Sequence, residues 1–215
     1  MSVPDQPKIY HITHLLNLTQ LASSGWLWSD AQRIERELDC RVVGMPTIKR
    51  RRLEEIEVKC HPGTKVGQYT PFYFCPRSIM LYILHRGNHP DIDYREGQRP
   101  IVHLQADLRS TIRWADNCGI KWAFSDRNAG VCVADFFNRW SDLNKINWAA
   151  VAATDFRPML VKEGKQAEFL VCGAFPWTLV ERIGVIDHQI ATQVRASLAN
   201  SSHQPSIHVD RGWYY

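Results

Sequence analysis

The order in which helix and strand patterns follow one another constrains the fold of this chain most strongly. Alternating or β-branched apolar runs occur near both ends and in the middle, but helical patterns do not separate them one by one. A doubly wound parallel sheet needs strands and helices in regular alternation. The sequence therefore predicts an α+β fold.

The individual elements follow from apolar spacing and from capping residues. We predict strands at 8–13, 68–74, 101–105, 121–124 and 167–172, with 206–214 closing the sheet. We predict helices at 15–21, 78–85 and 108–117, one that begins at Ser29 with Ile34 and Leu38 on its apolar side, and one that carries Ile190, Val194 and Leu198. Since no repeat or linker divides the chain, we expect a single domain spanning residues 1–215.

The composition excludes several classes of protein. No stretch approaches the ~20 apolar residues that cross a bilayer, and the polar, proline-bearing start is not a secretory signal. The six cysteines form no CxxC pair, so neither a disulfide framework nor a metal site is indicated. We interpret them as buried, reduced thiols of a cytoplasmic protein without a membrane partner.

The charge and the aromatic content leave a nucleic-acid partner open. The net charge is +4, and the chain has eight Trp, seven Tyr and eight Phe. A mild positive excess permits a polyanionic partner, and aromatic rings can stack on bases. The signatures GxGxxG and GxxxxGK[ST] are absent. A dinucleotide, if one is bound, is therefore held by a fold other than the Rossmann fold.

Two polar groups in the first quarter of the chain are candidates for ligand binding. His11 and Thr13 are two residues apart on a predicted strand, so their side chains share one face and suit a flat polar ligand. A solvated face is the alternative. The run 49–52 could clamp phosphates through guanidinium groups, or it could pair with Glu54 and Glu55 on a solvated helix. Residue type alone leaves both alternatives open.

Two further groups lie on the aromatic strand and on the late β-prone run. Tyr69 and Tyr73 share one face, where a ring could stack on a ligand. Arg77 follows at the start of a helix, a place where anions bind readily. Glu168 is a lone acid entering an apolar strand, with Gln166 on the same face. Such an acid has a partner or a function, unless it faces water on an edge strand.

Five segments, in this order, resemble the DarT family of DNA ADP-ribosyltransferase toxins. They are YHITH from Tyr10, IKRRR from Ile48, YTPFYFCPRSIMLY from Tyr69, FSDRNA from Phe124 and QAEFLV from Gln166. The third segment is the most specific, and the resemblance runs from about residue 9 to residue 183. It implies an ADP-ribosyltransferase fold, with a split mixed β-sheet and flanking helices around an NAD cleft.

The resemblance also implies a reaction and partners. ADP-ribose would pass from NAD, the co-substrate, to a base of single-stranded DNA, and nicotinamide would leave. Thymidine is the favoured acceptor. The alternatives are guanosine in DNA as the acceptor, RNA or protein as the acceptor, or a non-catalytic module that binds single strands. The family pairs its toxins with a macrodomain antitoxin that reverses the modification, so such a partner is expected here.

The same resemblance assigns roles to individual residues. Glu168 is the expected catalytic residue, and Arg51 is favoured over Arg52 as the arginine at the reacting centre. The residues expected to bind NAD are His11, Thr13, Arg51, Tyr69 and Tyr73, and those expected to bind DNA are Arg77, Arg127 and Asn128. Some relatives carry a histidine at the position of Asn128, so this chain lacks any proton-transfer group that such a histidine provides.

Overall fold

A computed structural model describes residues 2–215, which are built around an eight-stranded mixed sheet. The strands are β1 (Lys8–His14), β2 (Trp26–Trp28), β3 (Tyr69–Tyr73), β4 (Ile101–Asp107), β5 (Trp122–Ser125), β6 (Phe136–Phe137), β7 (Glu168–Cys172), β8 (Ala174–Pro176), β9 (Arg182–Val185) and β10 (Ser206–Val209). The order across the sheet is β10-β9-β4-β1-β3-β7-β5-β6. β9 and β10 are parallel, and the other neighbours are antiparallel. β2 and β8 form a separate antiparallel pair.

Eight α-helices flank the sheet in the described part of the chain. They are α1 (Leu18–Ser24), α2 (Asp30–Glu35), α3 (Pro46–Glu54), α4 (Ile79–Arg86), α5 (Leu108–Asn117), α6 (Trp148–Ala152), α7 (Met159–Gly164) and α8 (His188–Ser197). Ser78, Asp107 and Asp187 each accept a backbone N–H in the first turn of the helix that follows, which is why α4, α5 and α8 begin there. No helix within residues 2–215 is both long enough and apolar enough to cross a membrane.

Two sequence-based expectations were wrong. The helix that begins after Ser29 ends at Glu35, so Leu38 lies beyond it, and Ile34 is exposed. This helix lies at the mouth of a cleft instead of packing an apolar stripe onto the sheet. The six cysteines are free, as expected, but only Cys75 is buried, while Cys118 and Cys132 are exposed.

The sheet is almost divided between β1 and β3. β1 pairs with β4 along its whole length, and β3 pairs with β7 along its whole length. In contrast, β1 and β3 are joined through a single residue pair, Tyr10–Tyr73. Pro71 stands where the pairing would continue, and a proline has no N–H to donate to a ladder. Its carbonyl oxygen instead lies 2.8 Å from Nδ1 of His11. The expected split of the sheet is therefore present, and Pro71 accounts for it.

The main apolar core lies against the sheet beneath α1, α5 and α8. Phe72, Phe124 and Phe169 are fully buried there beside Leu18 and Val194. A smaller core packs Tyr69 against the segment that follows α3, and a third surrounds α4 and the C-terminus. The cores fix the strands on both sides of the split, so the groups that line it are held on a rigid framework.

Candidate active site

The split between β1 and β3 opens into a cleft with a volume of about 280 Å³. β1 contributes His11 and Thr13 to its walls, β3 contributes Tyr73, and β7 contributes Glu168. The helices α2 and α3 and the connection between them form the opposite side. The cleft therefore brings together residues that are more than 150 positions apart in the sequence.

Glu168 and Arg52 form a buried ion pair in this cleft. Nη2 of Arg52 donates to Oε2 of Glu168 at 2.8 Å, and Nη1 donates to Oε1 at 3.3 Å. The Glu168 side chain is 2% exposed and that of Arg52 is 13% exposed. Burial alone would lower the pKa of Arg52, but the carboxylate more than offsets this, so the pKa is raised. Each group orients the other in two-point contact.

The loop after β5 supports the carboxylate from the other side. The backbone N–H of Ala129 donates to Oε1 of Glu168 at 2.9 Å. The hydroxyl of Ser125 accepts from the backbone N–H of Glu168 and donates to the carbonyl of Arg127. Since these contacts come from a strand and its following loop, Glu168 is fixed on three sides before any substrate binds.

The preference for Arg51 over Arg52 at the reacting centre does not agree with this geometry. The Arg51 side chain is 41% exposed and pairs with Glu55 at 3.5 Å, as the solvated-helix alternative predicts. Successive residues of a helix point about 100° apart. Because α3 docks with Arg52 facing β7, Arg51 faces away from the cleft. One helix therefore carries an arginine that faces the cleft, Arg52, and a solvated ion pair between Arg51 and Glu55.

His11 and Thr13 share one wall of the cleft, as their spacing predicts. Because a carbonyl oxygen accepts only, Nδ1 of His11 donates to Pro71, which leaves Nε2 of the neutral ring as an acceptor. Burial lowers the pKa of His11, and the contact with Pro71 opposes that shift without overcoming it. Oγ1 of Thr13 accepts from Nδ2 of Asn17 at 3.0 Å. The hydroxyl proton of Thr13 is therefore free for another acceptor.

The two tyrosines that share a face of β3 have different surroundings. Tyr73 lines the cleft beside Glu168, and burial together with that carboxylate raises the pKa of Tyr73. Tyr69 is 1% exposed in the smaller core, where its hydroxyl lies 2.9 Å from Oγ1 of Thr64. Burial raises the pKa of Tyr69 to about 12. The expectation that Tyr69 flanks the cleft is thus not met, because the segment after α3 covers its end of the strand.

Comparisons with known proteins decide the family. Residues 10–215 match the family described as "DarT: ssDNA thymidine ADP-ribosyltransferase, DarT". The chain belongs to the DarT family. A DNA ADP-ribosyl transferase of Thermus aquaticus is 39% identical to it over 217 residues, which cover 100% of this chain and 92% of that protein.

Two solved structures of Thermus sp. 2.9 DarT share the fold. The complex with ADP-ribosylated ssDNA has a TM-score of 0.90 and 33% identity, and the match covers 100% of this chain and 99% of that one. The complex with NAD+ has a TM-score of 0.81 and 31% identity, and the match covers both chains completely. The mixed sheet with flanking helices is therefore the ADP-ribosyltransferase fold of the DarT family.

The three residues expected to bind DNA lie in different places in this DarT-family fold. Asn128 lines the cleft, where it donates to Oε1 of Gln166 at 3.2 Å and accepts from the backbone N–H of Gly130. Arg127 does not line the cleft, and it pairs with Asp126 at 2.9 Å and with Glu163 at 3.6 Å. Their roles toward DNA remain predictions.

Arg77 lies outside the cleft. Its guanidinium stacks 4.4 Å over the ring of Tyr215, and it lines a second cavity that also receives the buried side chain of Lys165. Nζ of Lys165 donates to the carbonyls of Val151 and Ala153. A contact between Arg77 and DNA would therefore involve a surface separate from the cleft between β1 and β3.

Sequence reasoning missed two polar groups of the DarT-family cleft, Asn17 and Asp30. Asn17 is buried and joins Thr13 to Arg41. Asp30 pairs with Lys49 at 2.6 Å. Burial alone would raise the pKa of Asp30, but the nearby cations, chiefly Lys49, more than offset this, so the pKa is lowered. The Asn17 and Lys49 contacts span 24 and 19 residues, so neither pairing follows a helical or strand period that could have revealed it. Within residues 2–215, no group of three His, Cys, Asp or Glu side chains could hold a metal ion.

Proposed function

We propose that this DarT-family protein uses NAD to ADP-ribosylate a thymidine base of single-stranded DNA and releases nicotinamide. The observation that carries the proposal is the fixed Glu168–Arg52 pair in the split-sheet cleft. The family match over nearly the whole chain and the likeness to DarT complexes with NAD+ and with ADP-ribosylated ssDNA support the two substrates.

The chemistry of the first step suits a fixed carboxylate. Breaking the bond between nicotinamide and ribose builds positive charge on the sugar, as in glycoside hydrolysis. Glu168 holds its negative charge in a desolvated place, where it stabilises that charge without reorganising. One carboxylate oxygen can also hold a ribose hydroxyl. Nicotinamide leaves as a neutral ring, so this step requires no strong acid.

Arg52 holds the carboxylate of Glu168 in a fixed orientation during this step. Two N–H···O contacts from one guanidinium restrict the positions of both carboxylate oxygens. The second edge of the guanidinium remains available for an anionic or carbonyl oxygen. Asp30 also lines the cleft, but Lys49 engages its carboxylate, so we do not assign Asp30 to the reacting centre.

The acceptor base must lose a proton before it attacks the sugar. The ring nitrogen of thymine is protonated at neutral pH, and an amide such as Asn128 cannot remove that proton. Glu168 is the carboxylate fixed at the reacting centre, so we assign the proton to it once it has stabilised the sugar cation. An unpaired base reaches the cleft without the few kcal/mol that unstacking from a duplex costs.

The proposal extends to the biological role. We propose that residues 1–215 act as one catalytic domain, because the cleft takes residues from His11 to Glu168 and the family match continues to residue 215. We further propose that the protein acts in the cytoplasm as the toxin of a toxin–antitoxin pair, with a macrodomain antitoxin that removes the modification. Expression with and without such a macrodomain tests this: growth should stop without it and recover with it.

The decisive experiment incubates the purified protein with NAD and short single-stranded oligonucleotides. The matched oligonucleotides differ by one thymine replaced with cytosine, and further arms contain guanine without thymine, the RNA equivalent and a protein mixture. We expect a mass gain of one ADP-ribose on the thymine oligonucleotide alone. A mass gain on another acceptor would show that this acceptor, and not thymidine, is the substrate. DNA binding without release of nicotinamide would show that the protein is a non-catalytic binding module.

A further inference from the structure

The connection between α2 and α3, residues 36–45, covers one side of the cleft; we call it the strap. It has no helix or strand, and residues 38–45 all line the cleft. Between residues 39 and 44, the hydrogen bonds that the structure describes for the strap backbone are confined to Arg41. A segment with so few backbone hydrogen bonds opens easily unless something anchors it.

Asn17 is that anchor. Its Oδ1 accepts from the backbone N–H of Arg41 at 2.7 Å, and its Nδ2 donates to the carbonyl of the same residue at 3.0 Å. Nδ2 also donates to Oγ1 of Thr13 at 3.0 Å. Asn17 is 9% exposed, so these contacts form away from water. One amide therefore ties the strap to β1 through both backbone groups of a single residue.

A second contact between the strap and the body is weaker. The Arg41 side chain pairs with Glu96, which also contacts Nε2 of the buried His14 at 3.3 Å. The side chains of Arg41 and Glu96 are about half exposed, and exposed ion pairs contribute little because water and salt screen them. Val43 and Met45, at the end of the strap, pack against the core around α4. The buried amide contact is therefore expected to determine where residues 39–42 of the strap lie.

We infer that Asn17 is a positioning residue for NAD binding, which holds the strap closed over the cleft and orients the Thr13 hydroxyl. The inference rests on the proposed function, because NAD is the ligand in question. A strap that is already closed spares the ligand the cost of ordering it, since apparent affinity scales with the fraction of protein in the binding-competent state. Glu168 and Arg52 lie on β7 and α3, outside the strap, so the residues that we assign to the chemical step stay in place.

Asn17→Ala should therefore raise KM for NAD and leave kcat at saturating NAD close to that of the unmodified protein. Of the three hydrogen bonds that Asn17→Ala removes, two hold the strap, and their loss predicts a rise of about tenfold. Asn17→Asp keeps the acceptor for the Arg41 N–H but loses the donor to its carbonyl, so its KM should fall between the two. Glu96→Gln should raise KM less than about threefold.

The control variant is Asp107→Ala, which removes the cap that accepts from the backbone N–H of Ser110 at the start of α5. Its loss of stability should be comparable, but α5 is not part of the cleft, so KM for NAD should stay unchanged. A KM that rises equally in this variant would show that general destabilisation, not the strap, is the cause. A KM for Asn17→Ala within twofold of the unmodified protein would also overturn the inference.

Hydrogen exchange without any substrate tests the strap independently of activity. In Asn17→Ala, the amides of residues 38–45 should exchange at least about tenfold faster, while those of β7 stay protected. Unchanged exchange in the strap would contradict the inference, and if Asn17→Ala does not fold, Asn17→Asp provides the same test. Failure of the unmodified protein to transfer ADP-ribose would instead overturn the proposed function, whatever the exchange shows.

Discussion

The two walls of the cleft are built in opposite ways. On the sheet wall, Glu168 is held by a paired strand, by Arg52 and by the N–H of Ala129. On the strap wall, residues 39–44 have no regular structure, and Asn17 fixes their backbone at Arg41. The wall that carries the charge is rigid, whereas the backbone of the wall that covers the ligand is hydrogen-bonded at one residue, Arg41.

This difference separates two kinds of effect. A transition state needs its charged groups fixed in place, because reorganisation would consume the stabilisation they offer. A dinucleotide must enter and leave, so a covering segment whose backbone is hydrogen-bonded at a single residue suits exchange of substrate and product. Substitutions on the sheet wall should therefore lower kcat, whereas substitutions at the strap should raise KM for NAD. Each of the following predictions tests this division between effects on kcat and effects on KM.

The largest effect is expected from Glu168→Gln. Glutamine keeps the size of the side chain and an oxygen for the N–H of Ala129, but it removes the negative charge. We expect kcat for ADP-ribose transfer to fall by about a thousandfold or more, with a smaller change in KM for NAD. Glu163→Gln, at the exposed partner of Arg127, is the matched control and should keep its activity. A fall in kcat of less than tenfold in Glu168→Gln would show that the negative charge of Glu168 is not needed for the transfer.

The second prediction compares the neighbouring arginines of α3. Arg52→Lys replaces a two-point contact with a single ammonium group, so Glu168 loses its fixed orientation, and kcat should fall by about a hundredfold. Arg51→Lys changes a side chain that pairs with Glu55 at the surface, and kcat should change by less than about threefold. Steady-state rates with the thymine oligonucleotide measure both. The opposite ranking would restore Arg51 to the reacting centre.

The sequence was informative where a residue violates a local rule. Glu168 is conspicuous because an acid is unfavourable in an apolar strand, and Ser78 and Asp107 are conspicuous because they precede helical patterns. The positions of most strands and of several helices follow from such local signals. These signals, joined to the five-segment resemblance, were enough to predict the fold and to single out Glu168, which the structure places in the cleft.

The sequence could not determine how the elements dock. The choice between Arg51 and Arg52 depends on the rotation of α3 against β7, and the separation of Tyr69 from Tyr73 depends on which segment covers each end of β3. Asn17 was missed because its partner lies 24 residues away in a segment without a period. These are tertiary contacts, and local propensity carries no information about them.

The third prediction concerns the framework behind the sheet wall. His103 is fully buried on β4, where its Nε2 contacts the carbonyl of Pro76 at 3.0 Å, and burial lowers its pKa from 6.5 to about 4. The unfolded chain takes up this proton at a higher pH than the folded chain. The stability that neutral His103 contributes is therefore complete above pH 6.5 and is lost as the pH falls toward 4.

The free energy of unfolding should accordingly fall by about 3 kcal/mol from this group between pH 6.5 and 4. His103→Gln keeps a donor for the Pro76 carbonyl and cannot take up the proton, so its stability should depend less on pH over that range. Urea denaturation at several pH values measures the slope, with His208→Gln at an exposed position as the control. Equal slopes for His103→Gln and the unmodified protein would show that acid acts on other groups.

The smallest effects should come from the two tyrosines of β3, which test where the sheet wall ends. Tyr69→Phe removes a hydroxyl that contacts Thr64 in the core, so the free energy of unfolding should fall by about 1 kcal/mol while kcat and KM stay the same. Tyr73→Phe removes a hydroxyl beside Glu168 in the cleft, so activity should fall a few-fold with little loss of stability. Denaturation curves and steady-state rates on both variants separate the outcomes. If Tyr69→Phe lowered activity as much as Tyr73→Phe, the cleft would extend further along β3 than its walls indicate, because a buried hydroxyl bonded to Thr64 has no other route to the substrate.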